Sequence, residues 1–191
     1  MIKYFLAILL IFGCSNEREE NHGDLPGGLP SSDNSGGGSN NNGYPGGGNI
    51  AEIQQFMIFH NLKRCWHDAP RVKWNAQLAE AAKEAASQCS FNRLAASDSI
   101  AFGESLSQIK AQDDWYMEFL SYPYGKSEYP ESVGNFARMV WQDTTDIGCA
   151  HVVCGTKDVY YCKYSPAAQP LKATGKVKFL KSDFMKCNGT N

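Results

Sequence analysis

The sequence predicts an α+β fold stabilised by disulfides. Three observations predict it. Residues Val133–Pro166 read as a helix followed by a β-hairpin. Three further stretches upstream carry helical signals, and six cysteines share the segment that holds all of these elements.

The decisive stretch is VGNFARMVWQDTTDIGCAHVVCGTKDVYYCKYSP. Val133, Phe136, Val140 and Trp141 recur at helical spacing. Pro130 and Ser132 mark a start, with Ser132 the expected N-cap. Residues 143–146 break the pattern. Two β-rich runs follow, Ile147–Cys154 and Val159–Tyr164, and Gly155–Asp158 supplies the turn between them. The hairpin carries three cysteines.

At 191 residues, the chain has room for one ordinary domain plus extensions. Its composition, 42% apolar with 12% aromatic, is that of a globular protein. A net charge of −2 gives no nucleic-acid or polybasic membrane footprint. Setting Cys14 aside, Cys65, Cys89, Cys149, Cys154, Cys162 and Cys187 form an even set, which reads as disulfides made in an oxidising compartment. None of them shows C-x-x-C spacing, and their pairing stays open at this level.

Taken in order, Met1–Gly13 reads as an export signal, with Lys3 ahead of the apolar run Tyr4–Phe12. That run is too short to span a bilayer as a mature helix. It ends in IFGCS, which resembles a bacterial lipobox with Cys14 as the lipidated residue; ordinary cleavage near Gly13 is the alternative. Residues 15–48 are rich in Gly, Asn, Ser and Pro and nearly free of apolar side chains, so they are expected to form a disordered tether. The organisation is thus 1–14 signal, 15–48 tether and 49–191 folded domain with a C-terminal tail.

Asn49–His67 is the first helix. Ile53, Met57, His60 and Arg64 share one face, so His60 is either a packing residue or a site residue. Val72–Trp74 is short and extended, and Asn75 caps a second helix, Ala76–Cys89. Ser90–Ser99 is loop. Ile100–Leu106 carries Glu104, and the third helix, Gln112–Tyr122, carries Glu118 between the aromatic positions 115, 119 and 122. Both carboxylates also admit a plain solvent-facing reading. Leu171–Asn191 is a basic-leaning tail that Cys187 is expected to staple to the body, and Asn188 opens a formal glycosylation sequon.

Gly134–Thr145 followed by Ile147–Ala150 resembles the first signature of the CAP superfamily, which includes cysteine-rich secretory proteins, antigen 5 and pathogenesis-related proteins. YCKYSP at Tyr161–Pro166 resembles the second. Phe59–Leu78, GESL at Gly103–Leu106 and WYMEFLSY at Trp115–Tyr122 extend the match across most of the foldable chain. The resemblance implies a three-layer α–β–α sandwich with a small antiparallel sheet of about three or four strands, centred on the hairpin. It also implies a Cys149–Cys162 bridge. Helices one, three and four would surround a cavity formed by His60, Glu104, Glu118 and Asn135.

Asn135 stands where relatives carry a second histidine, and a neutral amide is a poor ligand for zinc. Weak or no metal binding is therefore expected, and no cofactor. No G-x-S-x-G or H-E-x-x-H motif marks a catalytic centre. The resemblance implies an extracellular or cell-surface binding protein for a lipid or sterol-like ligand, or for a protein partner. It would be a lipoprotein held to the membrane through Cys14 or a freely secreted protein. The alternative is a secreted hydrolase or protease using His60 with Glu104 or Glu118.

Overall fold

The computed structural model describes residues 50–92, 95 and 97–187. The export signal, Cys14, the tether and the sequon lie outside the described residues. Helix α1 (Ile50–Trp66) buries Phe56, His60, Asn61, Lys63 and Arg64, whereas Ile53 and Met57 are only partly covered. Its inner face carries polar side chains beside Phe56 because it meets backbone carbonyls at the end of a later helix and in loops that need partners. Arg64 donates from Nη1 to the Met139 carbonyl at 3.0 Å and from Nη2 to that of Thr144 at 2.8 Å. Asn61 imitates a strand neighbour: it accepts from the Val72 N–H at 2.9 Å and donates back to the Val72 carbonyl at 3.3 Å.

Strand β1 (Lys73–Trp74) leads into helix α2 (Ala76–Ser87). Asn75 caps α2 as expected, its side chain accepting from the Leu78 N–H at 3.1 Å. The buried alanines 82, 85 and 86 lay α2 against Ala150, Val159 and Tyr161 on one face of the sheet. The approach is closest at Gly148, where a Cβ would lie 2.1 Å from the Ala79 nitrogen.

Strands β2 (Asp98–Glu104), β3 (Asp146–Cys154) and β4 (Lys157–Ser165) complete a four-stranded sheet in the order β1-β3-β4-β2. The hairpin is central, as the resemblance implied. β4 is antiparallel to both neighbours, but β1 pairs with β3 in parallel. This short parallel pair covers an edge of β3 that would otherwise present unpaired backbone groups.

Helix α3 spans Gln108–Met117, starting at Gln108 rather than at Gln112. Ser107 caps it, accepting from the Lys110 N–H at 3.2 Å. Gln108 and Gln112 are buried, so the inward face begins with amides that an apolar pattern does not register. After Met117 the chain tightens into a 3-10 turn, Glu118–Ser121. A second 3-10 turn, Glu131–Val133, enters helix α4 (Gly134–Val140). Ser132 lies within that turn and does not cap α4; the position before the helix is Val133, which has no side-chain cap bond.

Helices α1, α3 and α4 cover the other face of the sheet. There Phe56, Trp115 and Phe136 join Ile147, Cys162 and Tyr164 in one core cluster, which completes the three layers. The disulfides are Cys65–Cys187, Cys89–Cys154 and Cys149–Cys162. The last pins the hairpin register, and the first staples the tail to α1. Among the described residues no helix is long and apolar enough to cross a membrane.

Candidate functional site

His60 is fully buried on α1. Its Nδ1 lies 2.9 Å from the Phe56 carbonyl, which can only accept, so Nδ1 carries the proton. Nε2 is then the acceptor, and the Tyr164 hydroxyl on β4 donates to it at 3.0 Å. Burial pushes the imidazole down to about 4; the Arg64 guanidinium adds to this and the Phe56 carbonyl opposes it. His60 is therefore neutral near neutral pH, with its lone pair occupied. Burial also raises the pKa of Tyr164.

Glu118 opens the 3-10 turn after α3. Its Oε1 accepts from Asn135 Nδ2 at 2.7 Å and its Oε2 from the Phe136 N–H at 3.0 Å. Phe136 lies in the first turn of α4, where backbone donors have no intrahelical acceptor. Glu118 thus caps α4 from a distant part of the chain and places negative charge at the positive end of the helix. This supplies what Ser132 was expected to provide. Burial raises the Glu118 pKa, while the Phe136 and Asn135 bonds act in the opposite direction.

Arg138 Nη1 donates to Asn135 Oδ1 at 3.4 Å and so orients the amide, with Nδ2 towards Glu118. Arg138 Nη2 meets Glu131 Oε1 at 2.6 Å. Gly134 keeps this contact possible, because a Cβ there would lie 2.5 Å from the Glu131 oxygen.

Glu104 ends β2 and is exposed. It sits opposite Lys157 in the register, and its Oε1 accepts from Thr156 Oγ1 at 3.2 Å. The structure thus joins Glu118 to Asn135, sets His60 against Tyr164 and places Glu104 at the hairpin turn. Tyr164 bonds His60 at 3.0 Å, and the charges of Arg138, Arg64 and Glu118 act on its hydroxyl.

Tyr164 and His67 were not singled out in the sequence. Strand alternation with Tyr160 and Cys162 puts Tyr164 on the inward face. His67 has no such local signal, because its partners are 49 and 111 residues away. It repeats the pattern of His60: Nδ1 donates to the Lys178 carbonyl at 2.8 Å and Nε2 accepts from the Tyr116 hydroxyl at 3.0 Å. Burial lowers its pKa to about 4. Phe119 and Phe136 pack edge-on against its ring. Among the described residues, no group of three or more His, Cys, Asp or Glu side chains is placed to hold a metal ion.

This combination of central hairpin, three layers and hairpin disulfide has a counterpart among known families. Residues 57–164 match the model of CAP, the cysteine-rich secretory protein family. The chain belongs to the CAP family. The CAP domain is 31% identical over 128 residues to the Candida albicans protein named Repressed by EFG1 protein 1, a match covering 62% of this chain and 47% of that protein. It is 32% identical over 126 residues to Secreted protein RBT4 of the same yeast, covering 60% of this chain and 34% of that one. The chain therefore spans less than half the length of these two relatives. The crystal structure of hookworm platelet inhibitor shares the fold, with a TM-score of 0.61 and 21% identity over 66% of this chain and 75% of that one.

Proposed function

We propose that this CAP domain is an exported, non-enzymatic binding module that acts outside the cell on a lipid or sterol-like ligand or a protein partner. One observation carries the non-enzymatic part. The polar atoms of His60, Glu118 and Asn135 are committed to bonds that hold helices in place, and Glu104 lies apart from them, exposed at the hairpin turn. Both nitrogens of His60 are engaged, and both oxygens of Glu118 accept from donors in α4. A general base needs a free lone pair within reach of a substrate proton, and His60 is neither exposed nor free. Export is supported by the three disulfides and by similarity to a relative named as a secreted protein. Membrane retention through Cys14 belongs to the same proposal, with cleavage near Gly13 as the other route out. The ligand class rests on family analogy.

The test is native mass spectrometry of the protein purified from its own host, followed by titration with a fluorescent sterol in the presence and absence of chelator. The expected result is a lipid adduct and sterol uptake that survives chelation. The hydrolase reading predicts turnover that disappears in both His60→Ala and Glu118→Gln, and such turnover would overturn the proposal. A mass beginning at Cys14 plus acyl chains identifies the anchored form; a mass without them identifies the secreted form.

A further inference from the structure

A cleft of about 560 Å³ opens on the far side of α1 from the His60 site, between the helix, the loop after it and the C-terminal tail. Its cationic lining is Arg71, Lys178, Lys181 and Lys186. Asp68 is the one carboxylate among the described lining residues and pairs with Lys178 at 2.6 Å, and Asp183 beside the cleft lies 3.4 Å from Lys186, so that among the described residues Arg71 and Lys181 are the two lining cations without an ion pair. Positive charge is thus concentrated here in a chain whose net charge is −2. Three of the four cations come from the tail, which Cys65–Cys187 binds to α1 at the cleft wall. Ile58 and Leu62 supply an apolar flank, and Ile58 is 60% exposed.

We propose that this cleft binds the phosphate group of an amphiphilic or organic phosphate ligand. Like charges held together by a disulfide and a backbone repel one another, and an anion with more than one charge relieves that repulsion better than a monocarboxylate. Arginine presents a planar fork that matches phosphate oxygens, and the lysines add point charges around it. The volume exceeds that of the phosphate alone, and the Ile58–Leu62 flank would take an adjoining apolar part of the ligand. The site is separate from the His60 and Glu118 groups and does not depend on the function proposed for the domain.

The experiment compares the full chain with an Arg71→Glu/Lys181→Glu variant at low ionic strength, where exposed charges are least screened. The probes are inorganic phosphate, followed by calorimetry, and phosphatidylcholine vesicles with and without phosphatidic acid, followed by co-sedimentation. Wild type binds at least one anionic probe, and the variant binds it at least about tenfold more weakly. Any contribution from the N-terminal residues is common to both chains and cancels. Binding to inorganic phosphate identifies a free phosphate ligand; binding only to vesicles with phosphatidic acid identifies a lipid headgroup. An Arg71→Lys/Lys181→Arg variant retains binding, which separates lost charge from misfolding. No binding to either probe, or equal binding by the charge-reversed variant, overturns the proposal. Unchanged sterol uptake in that variant keeps this result independent of the function proposed above.

Discussion

The Asn135 side-chain amide donates to one oxygen of Glu118 at 2.7 Å, and the next backbone N–H, that of Phe136, donates to the other at 3.0 Å. A carboxylate that departs from α3 therefore completes the first turn of α4. Replacing it with an amide sets an NH₂ group against one of these donors. Glu118→Gln should cost about 1–3 kcal/mol, the usual penalty for leaving a buried donor unmet. Urea unfolding measures this directly, and a variant as stable as wild type would show that the cap is dispensable.

The same pair sets the expectation for metal. Asn135 places a neutral amide, not an imidazole, beside Glu118, and its oxygen already receives Arg138. Asn135→His supplies one, and zinc should raise the melting temperature of that variant more than that of wild type. Equal shifts in the two proteins would refute the argument from the missing imidazole.

Tyr164→Phe removes the donor to His60 Nε2 and keeps the ring in place. A buried acceptor left bare costs about 1–3 kcal/mol. Combining it with His60→Leu removes both polar partners, and the double variant should lose less than the sum of the single losses. Strict additivity would mean that the 3.0 Å contact carries no coupling.

Acid should destabilise the fold through His60 and His67. Both pKa values are lowered by burial, from 6.5 to about 4. Between these values the unfolded chain binds more protons than the folded one, so stability falls as pH drops through this window. At one pKa unit per 1.36 kcal/mol, the low-pH limit is roughly 3 kcal/mol for each histidine. Glu118 acts in the opposite sense, since its raised pKa favours the folded form as it protonates, and it offsets part of the loss. Unfolding free energies at about pH 7 and about pH 4.5 test the sign. A flat profile in wild type, or one unchanged in His67→Gln, would count against it.

Gly148→Ala should be the most damaging small substitution in the sheet. The added Cβ would lie 2.1 Å from the Ala79 nitrogen and 2.4 Å from the Leu78 carbonyl carbon, both backbone atoms that cannot swing aside. A loss of about 4 kcal/mol or more is expected, read as failure to fold or as a collapsed melting transition. A loss below about 1 kcal/mol would mean that α2 and β3 separate easily.

Much of the fold was legible in the sequence because its signals are local. The hairpin runs, the Asn75 cap and the helical spacing of α1 each arise from a few neighbouring residues. The bridge at Cys149–Cys162 followed from family resemblance, and β-pairing places those two residues directly opposite one another. Where local signals were polar, the reading failed. The inward amides Gln108 and Gln112 concealed the start of α3, and Ser132 looked like a cap although it lies in a 3-10 turn.

Local signals in the sequence determined the helices, the hairpin and the even count of cysteines in the folded segment, while the family resemblance supplied the layers, the central place of the hairpin and the residues of the candidate site. Only the tertiary structure decided how those residues are used. His60 meets Tyr164 across 104 positions, Glu118 meets Asn135 across 17, and His67 meets Lys178 across 111. Hydrogen bonds between such distant residues depend on how the elements pack, and no local spacing encodes that. A buried polar atom must find a partner wherever the packing brings one, and here packing commits the donors and acceptors of His60, Glu118 and Asn135 to holding α1, α3, α4 and β4 together.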